Sequence, residues 1–366
     1  MKEVSLLKSY LHPLGRTIYH TKNGRSGLYF AHSNSGFALR VLAKENFHMR
    51  LNFDSEVNLE NQGQYMVLYM DRHFYQKYAL ENGDVTLNLD LSSFKGEHTL
   101  ELIKVNEPQH AKLHLLSLEI ENGEILPFLT PHTKKMEFYG ASTTSGFGIL
   151  GKKEDPFTLK TEDSSLSFSY QVPYQLGYET SVISYSGMSM ALKFHQPFTL
   201  LDVYDKLDGT IPWNFSNYHP DYIVIDIGTN DNEKLKHIEE EKQEEASELY
   251  YQNLHCLAFQ LLKEHPSATL IFIHSMMVAI SPYLIHQMER VKDEVINKTQ
   301  NQAFVLSFEP NQEGACHHPS KVAHQKITSQ IIDLIRKIKL KRSEYPMKFI
   351  FFKENIMNFT GLVIKY

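Results

Sequence analysis

Ser142 stands in the stretch Phe138-Tyr-Gly-Ala-Ser-Thr-Thr-Ser-Gly146, directly after an apolar-rich run that begins at Met136. A hydroxyl where a buried strand runs out into a glycine-bearing turn, flanked by small residues, is open to approach by another molecule, and that is how a nucleophile is presented. Acyl transfer further requires a base for the hydroxyl proton and donors for the oxyanion that develops on the carbonyl. Three later segments carry residues of those types. Tyr185-Ser-Gly187 follows an apolar run, and its glycine lets a backbone N–H come close to a ligand. Ile227-Gly-Thr-Asn-Asp231 ends another run, where the Asn230 amide could donate to the same oxyanion; read alone, either segment is equally a turn. In Gly314-Ala-Cys-His-His-Pro-Ser320, His318 precedes Pro319, which biases its backbone to be extended and its ring to face the strand ends. Cys316, His317, His318 and His324 also form a candidate metal set. Adjacent histidines point in different directions, and no second group of ligands is spaced to complete a tetrahedron, so the base reading is preferred and no metal is expected.

Two kinds of element must position these residues. Up to about residue 130 the chain alternates with period two. Phe47, Met49, Leu51 and Phe53 share one side of a strand, and Val85, Leu87, Leu89 and Leu91 repeat the pattern after Asn82-Gly83-Asp84. Further short strands are expected at 28–31, 36–42, 65–70, 99–105 and 112–120, with turns at Asn34, Asn82 and Asn122-Gly123. One-faced strands in this number imply an antiparallel, jelly-roll-like sandwich over 1–127. After Leu126-Pro127 the runs at 136–139, 181–185, 222–227, 269–273 and 303–308 have the length of fully buried strands. Helical stripes separate or follow them, one of Leu284, Met288, Val291 and Val295, another of Ile327, Ile331, Leu334 and Ile338. Strand alternating with helix over 128–340 implies a parallel sheet covered on both faces, an α/β/α layer whose functional loops gather at the carboxyl ends of the strands. The acidic run Glu239 to Glu245 reads as a solvated helix face. The tail, 341–366, carries the aromatic run Phe349-Ile-Phe-Phe352 and is expected to dock on the body.

Composition narrows the function classes. At 366 residues and 42% hydrophobic, the chain has room for two domains, each with its own core. The 43 acidic residues exceed the 37 basic ones, giving a formal charge of -6 and no basic surplus for nucleic acid or anionic lipid. Cys256 and Cys316 are too few for a disulfide framework. Met1-Lys-Glu-Val-Ser-Leu-Leu lacks a sustained apolar stretch, and no run reaches the length of a membrane span, so a cytoplasmic protein is expected, or a secreted one if a leader was trimmed.

The ordered set Gly-x-Ser, Tyr-Ser-Gly, Gly-Thr-Asn-Asp and His-Pro-Ser resembles the SGNH (GDSL-type) hydrolases, in which serine, glycine, asparagine and histidine lie in four separated blocks. Trp213-Asn-Phe215, then Pro220-Asp-Tyr-Ile-Val-Ile-Asp-Ile-Gly-Thr-Asn-Asp231, and a leading sandwich near Gly15-Arg16 are similar to carbohydrate esterase family 2, two-domain acetyl esterases of plant polysaccharide. The resemblance extends to about residue 338. It implies Ser142 as nucleophile, His318 as general base and then acid, an oxyanion hole of the Ser142 and Gly187 N–H groups with the Asn230 amide, and Trp213 as a sugar platform in the cleft. Core packing is the competing reading for Trp213.

Two departures bear on the mechanism. Ala141 stands where the family pattern has Asp, and Ala315 and Cys316 stand where an acid often precedes the histidine. Some members use a serine-histidine dyad oriented by a backbone carbonyl; Glu309 and Glu313 are the carboxylates nearby that could complete a triad instead. The implied activity is removal of O-acetyl groups from xylan-type oligosaccharides through an acetyl-enzyme, with no cofactor, an acetylated oligosaccharide or polysaccharide as partner, and a homo-oligomer compatible with the sequence. Two other readings stay open: an esterase of other O-acyl substrates, cell-wall or lipid, and a carbohydrate-binding protein with a degenerate site.

Overall fold

The computed structural model describes residues 1–4, 6, 10–128, 133–274 and 276–344. Ten strands come first: β1 (Lys2–Val4), β2 (His12–Leu14), β3 (Thr17–Lys22), β4 (Arg25–Phe30), β5 (Gly36–Val57), β6 (Gln64–Met70), β7 (His73–Leu80), β8 (Gly83–Asp90), β9 (Gly96–Lys104) and β10 (Ala111–Leu126). All their pairings are antiparallel. The order is β3-β4-β10-β5-β9-β6-β7, with β1 on β10 and both β2 and β8 on β5.

The stretches 36–42 and 47–53, read from sequence as separate strands, are two halves of β5. Its first half pairs with β9 and its second with β8, while β10 follows it nearly end to end. The bend between the halves has a local cause. Asn46 and the facing Asn122 both have positive φ, 57° each, and the β5–β10 register slips between Glu121 and Gly123. A side chain at Gly123 would run into the Phe47 ring, its Cβ 2.5 Å away, so the corner needs glycine. The bent strands enclose Phe37, Leu39, Met49, Leu51, Phe53, Leu68, Leu89, Leu102 and Leu115 in one apolar core.

The second layer system begins with β11 (Lys135–Gly140) and continues through α1 (Ser142–Ser145), α2 (Phe168–Leu176), β12 (Glu179–Ser184), α3 (Leu200–Val203), β13 (Tyr222–Asp226), α4 (Thr229–Leu235), α5 (Glu240–Glu264), β14 (Thr269–Ile273), α6 (Pro282–Thr299), β15 (Ala303–Leu306) and α7 (Lys321–Glu344). The sheet order is β12-β11-β13-β14-β15, and every pair is parallel. One face packs Ile183, Ile225 and Phe272 against Leu254, Leu261, Met288 and Val291 of α5 and α6. The other packs Phe138, Val224 and Ile271 against Phe168, Ile327, Ile331 and Ile335 of α2 and α7. The five buried runs expected from sequence are these five strands. Glu240, Glu241, Glu244 and Glu245 are exposed on α5. The expected docking of the tail, with Phe349 to Phe352, lies outside the described residues. Among those described, no helix is long and apolar enough to cross a membrane.

Arg16, in the turn between β2 and β3, joins the two parts. Its side chain is wholly buried and donates to the Tyr204 and Lys206 carbonyls at 2.6 and 2.7 Å, to the Tyr139 hydroxyl at 2.9 Å and to the Glu137 carboxylate at 3.3 Å. Its guanidinium carbon lies 5.4 Å from the Trp213 and Phe215 rings. Tyr29 adds a bond to Asp208 at 2.8 Å, and Lys77 an ion pair with Asp163 at 2.8 Å.

Candidate active site

Parallel strands deliver their carboxyl-end loops to one edge, and four loops of this sheet meet there. The cleft between them, of about 560 Å³, is lined by Ser142, Gly187, Asn230 and His318, with Phe147 and Phe194 among the flanking side chains. Ser142 is the first residue of α1. The turn that presents it admits no Cβ at Gly140, which would sit 2.0 Å from the Thr144 hydroxyl oxygen. Asp226, at the end of the neighbouring β13, accepts from the Thr143 and Thr144 hydroxyls at 2.5 and 2.8 Å, tying the turn to the adjacent strand. Burial pushes the Asp226 carboxyl up to about 6, while the two hydroxyls pull it down.

His318 reaches the same turn from the loop after β15. Its Nε2 lies 3.0 Å from Ser142 Oγ, and its Nδ1 lies 2.9 Å from the Cys316 carbonyl oxygen. Because a carbonyl only accepts, Nδ1 carries the proton there, and Nε2 presents a lone pair to the serine hydroxyl. The carbonyl is aimed by an uncommon backbone: Cys316 and His317 both have positive φ, 50° and 56°. Such a conformation costs non-glycine residues about 1–2 kcal/mol each. Four main-chain bonds hold it: Ala315 N–H to Gly148 O at 2.9 Å, Cys316 N–H to Asp155 O at 3.1 Å, His317 N–H to Lys153 O at 3.3 Å and Gly314 N–H to His318 O at 2.7 Å. Burial draws the His318 pKa down to about 4; the Cys316 and Ala315 carbonyls act in the opposite sense, and His317 adds a smaller depression. Phe147 covers one side of the ring at 4.4 Å between centroids.

The carboxylates weighed for a triad lie elsewhere. Glu309 and Glu313 are exposed, and Glu313 accepts from Asn311 and Ser320. Among the described residues no carboxylate bonds to His318. The four side chains considered as metal ligands also diverge: His317 faces Glu154 at 3.9 Å, Cys316 Sγ lies on the Asp155 carbonyl, and His324 stacks on Phe168.

Asn230 donates from Nδ2 to the Met188 carbonyl at 2.8 Å, which leaves the second amide hydrogen for the cleft. The N–H of Gly187 meets no acceptor among the described residues. Trp213, expected as a platform, is not in the cleft. It is 7% exposed and packs with Tyr29, Leu207 and Tyr218 under the sandwich, beneath Arg16. A large apolar ring with a face for a buried cation suits that seam, and the competing core reading is the correct one. Besides Phe147, the cleft is lined by the aromatic side chain of Phe194, 39% exposed and stacked on His237 at 5.7 Å.

Asp231, the last residue of the Gly-Thr-Asn-Asp segment, has a task that its motif does not announce. Its wholly buried carboxylate accepts three successive N–H groups, from Met190, Ala191 and Leu192, at 2.8, 2.8 and 2.7 Å, fixing the loop that follows Gly187. The partners lie 39 to 41 positions earlier in the chain, so no local pattern announces them.

No family model matches the chain. It is 28% identical over 195 residues to the cellulase/esterase CelE of Acetivibrio thermocellus, across 50% of this chain and 24% of that protein. With the acetylxylan esterase / glucomannan deacetylase of Cellvibrio japonicus it shares 24% identity over 190 residues, 48% of this chain and 51% of the other. The chain's matches thus span about a quarter and about half of the length of these curated relatives. A solved family two carbohydrate esterase from Clostridium thermocellum, in complex with cellohexaose, superposes with a TM-score of 0.78 at 21% identity, covering 90% of this chain and 99% of that one. The antiparallel sandwich leading into a five-stranded parallel layer thus has the fold of the family two carbohydrate esterases.

Proposed function

We propose that this protein is a serine esterase that removes O-acetyl groups from xylan-type oligosaccharides or polysaccharides through an acetyl-enzyme on Ser142. The observation that carries the reading is the 3.0 Å contact of His318 Nε2 with Ser142 Oγ in an open cleft, with Nδ1 held by a carbonyl. As Oγ attacks the acetyl carbonyl, its proton passes to Nε2, and the oxyanion receives the Ser142 and Gly187 N–H groups and the free Asn230 amide hydrogen. Collapse breaks the bond to the sugar oxygen, which takes the proton from Nε2. Water then gives a proton to Nε2 and attacks the acetyl group; the bond from the acetyl carbon to Oγ breaks, Oγ takes that proton from Nε2, and acetate leaves. The relatives' names support a carbohydrate ester as substrate. Phe194 supports a sugar ring at the cleft, since pyranose faces are apolar enough to lie against an aromatic one.

Acetate release from a panel of acetylated sugars tests the substrate class. Ser142→Ala should lower turnover by at least about a thousandfold with an unchanged melting temperature, because only one hydroxyl is removed. Asn230→Ala should cost about a hundredfold in kcat with little change in KM. Acetate release by a well-folded Ser142→Ala at near-normal rate would overturn the nucleophile, and a rise in KM alone would make Asn230 a ground-state contact.

A further inference from the structure

We infer that Gln109 and Gln196 are positioning residues of the oxyanion site, fixing the direction of the Gly187 N–H through a ring of four hydrogen bonds that closes across the two domains. The inference rests on the esterase reading above. The ring begins at Ser186, whose N–H donates to Glu107 Oε2 at 2.5 Å. Glu107 Oε1 accepts from Gln109 Nε2 at 3.0 Å, and Gln109 Oε1 accepts from Gln196 Nε2 at 2.9 Å. Gln196 Nε2 closes the ring on the Ser186 carbonyl at 2.7 Å. Both backbone polar groups of Ser186 are therefore engaged.

The consequence for Gly187 follows from peptide geometry. In a trans peptide the carbonyl of one residue and the N–H of the next point to opposite sides, and the chain has no cis peptide among its described residues. Drawing the Ser186 carbonyl onto Gln196 therefore turns the Gly187 N–H away from Gln196. Gly187 itself has φ of 79°, and a Cβ there would lie 2.7 Å from His195 Cβ and 3.6 Å from Gln196 Nε2. Only glycine lets the segment carrying Gln196 lie this close.

The anchor of the ring is rigid. Glu107 is wholly buried in the loop after β9, beside two other buried charged groups, Lys104 and Glu162. Glu162 accepts from the Glu107 N–H and from Asn106 Nδ2, both at 3.1 Å, and Lys104 donates to the Asn106 carbonyl. The sandwich thus supplies the fixed end, and Gln109 and Gln196 transmit it to the peptide that bears the oxyanion donor.

Gln196→Glu keeps the shape of the side chain and removes both donors; Gln109→Ala breaks the ring at its middle. With 4-nitrophenyl acetate each should lower kcat tenfold or more while KM stays within about twofold, and amide exchange across 185–188 should quicken at an unchanged melting temperature. Because the residues act in one ring, Gln109→Ala combined with Gln196→Glu should cost no more than the larger single change. Unchanged kcat in both single variants, an effect on KM alone, or full additivity would overturn the inference. An unaltered chain that hydrolyses no acetyl ester would overturn the esterase reading and the catalytic half of this one with it; the exchange measurement then decides whether the ring holds the loop.

Discussion

At the residue scale, a neutral carbonyl on His318 Nδ1 has consequences for pH. It fixes the tautomer but supplies no counter-charge to the imidazolium that forms during turnover. Burial has drawn the pKa of His318 down to about 4, so the ring is neutral and able to accept a proton above that value, and activity is lost as pH falls through it. The acid limb of kcat/KM should therefore lie near pH 4, well below the ordinary imidazole range of about 6.5. A limb at the ordinary value would show that a carboxylate or solvent offsets the burial. Glu309→Gln and Glu313→Gln should each leave turnover within about tenfold, since both carboxylates are exposed and neither touches the ring. What was legible in the sequence here was residue identity and chain order. The orienting group was not, because a carbonyl belongs to every residue and only the positive φ of Cys316 aims this one. Trp213 was misread for a related reason: an aromatic side chain suits a sugar and a buried guanidinium equally, and tertiary placement decides between them.

At the scale of elements, the histidine loop and the serine turn are shaped against each other. Gly148, three residues past the end of α1, has φ of 67°, and a Cβ there would come within 2.6 Å of the Ala315 carbonyl oxygen. Gly148→Ala should displace the loop that carries His318. A shift of about 1 Å in a catalytic group can cost about a hundredfold, so a loss of that order in kcat is expected with Ser142 and His318 both intact. Retention of normal turnover would mean that the loop can yield without moving the imidazole. The parallel strands were readable because burial on both faces makes each a continuous apolar run. Strand β7 was not, since most of its residues are exposed or only partly buried. The bend in β5 was hidden too, because an asparagine in the left-handed region reads from sequence as a turn that ends a strand.

For the whole molecule, Arg16 is the test of how far the two parts depend on each other. Arg16→Ala would leave the Glu137 carboxylate buried without its cation and two carbonyls without donors, at a cost of about 3–5 kcal/mol. Thermal or urea unfolding of that variant measures the loss; a change below about 1 kcal/mol would show that the seam relaxes and admits water. The same side chain also imposes an order of events during synthesis. Its carbonyl acceptors on Tyr204 and Lys206 lie 188 and 190 positions downstream. At about 5–20 residues per second they leave the ribosome roughly 10–40 seconds after Arg16 does. Until then the guanidinium has only water for those bonds, and the β3–β4 edge of the sandwich waits beside it with Tyr29 unpaired from Asp208. The N-terminal sandwich is thus made before the surface that completes it, and a nascent chain stalled near residue 200 would expose that seam to whatever else is at hand.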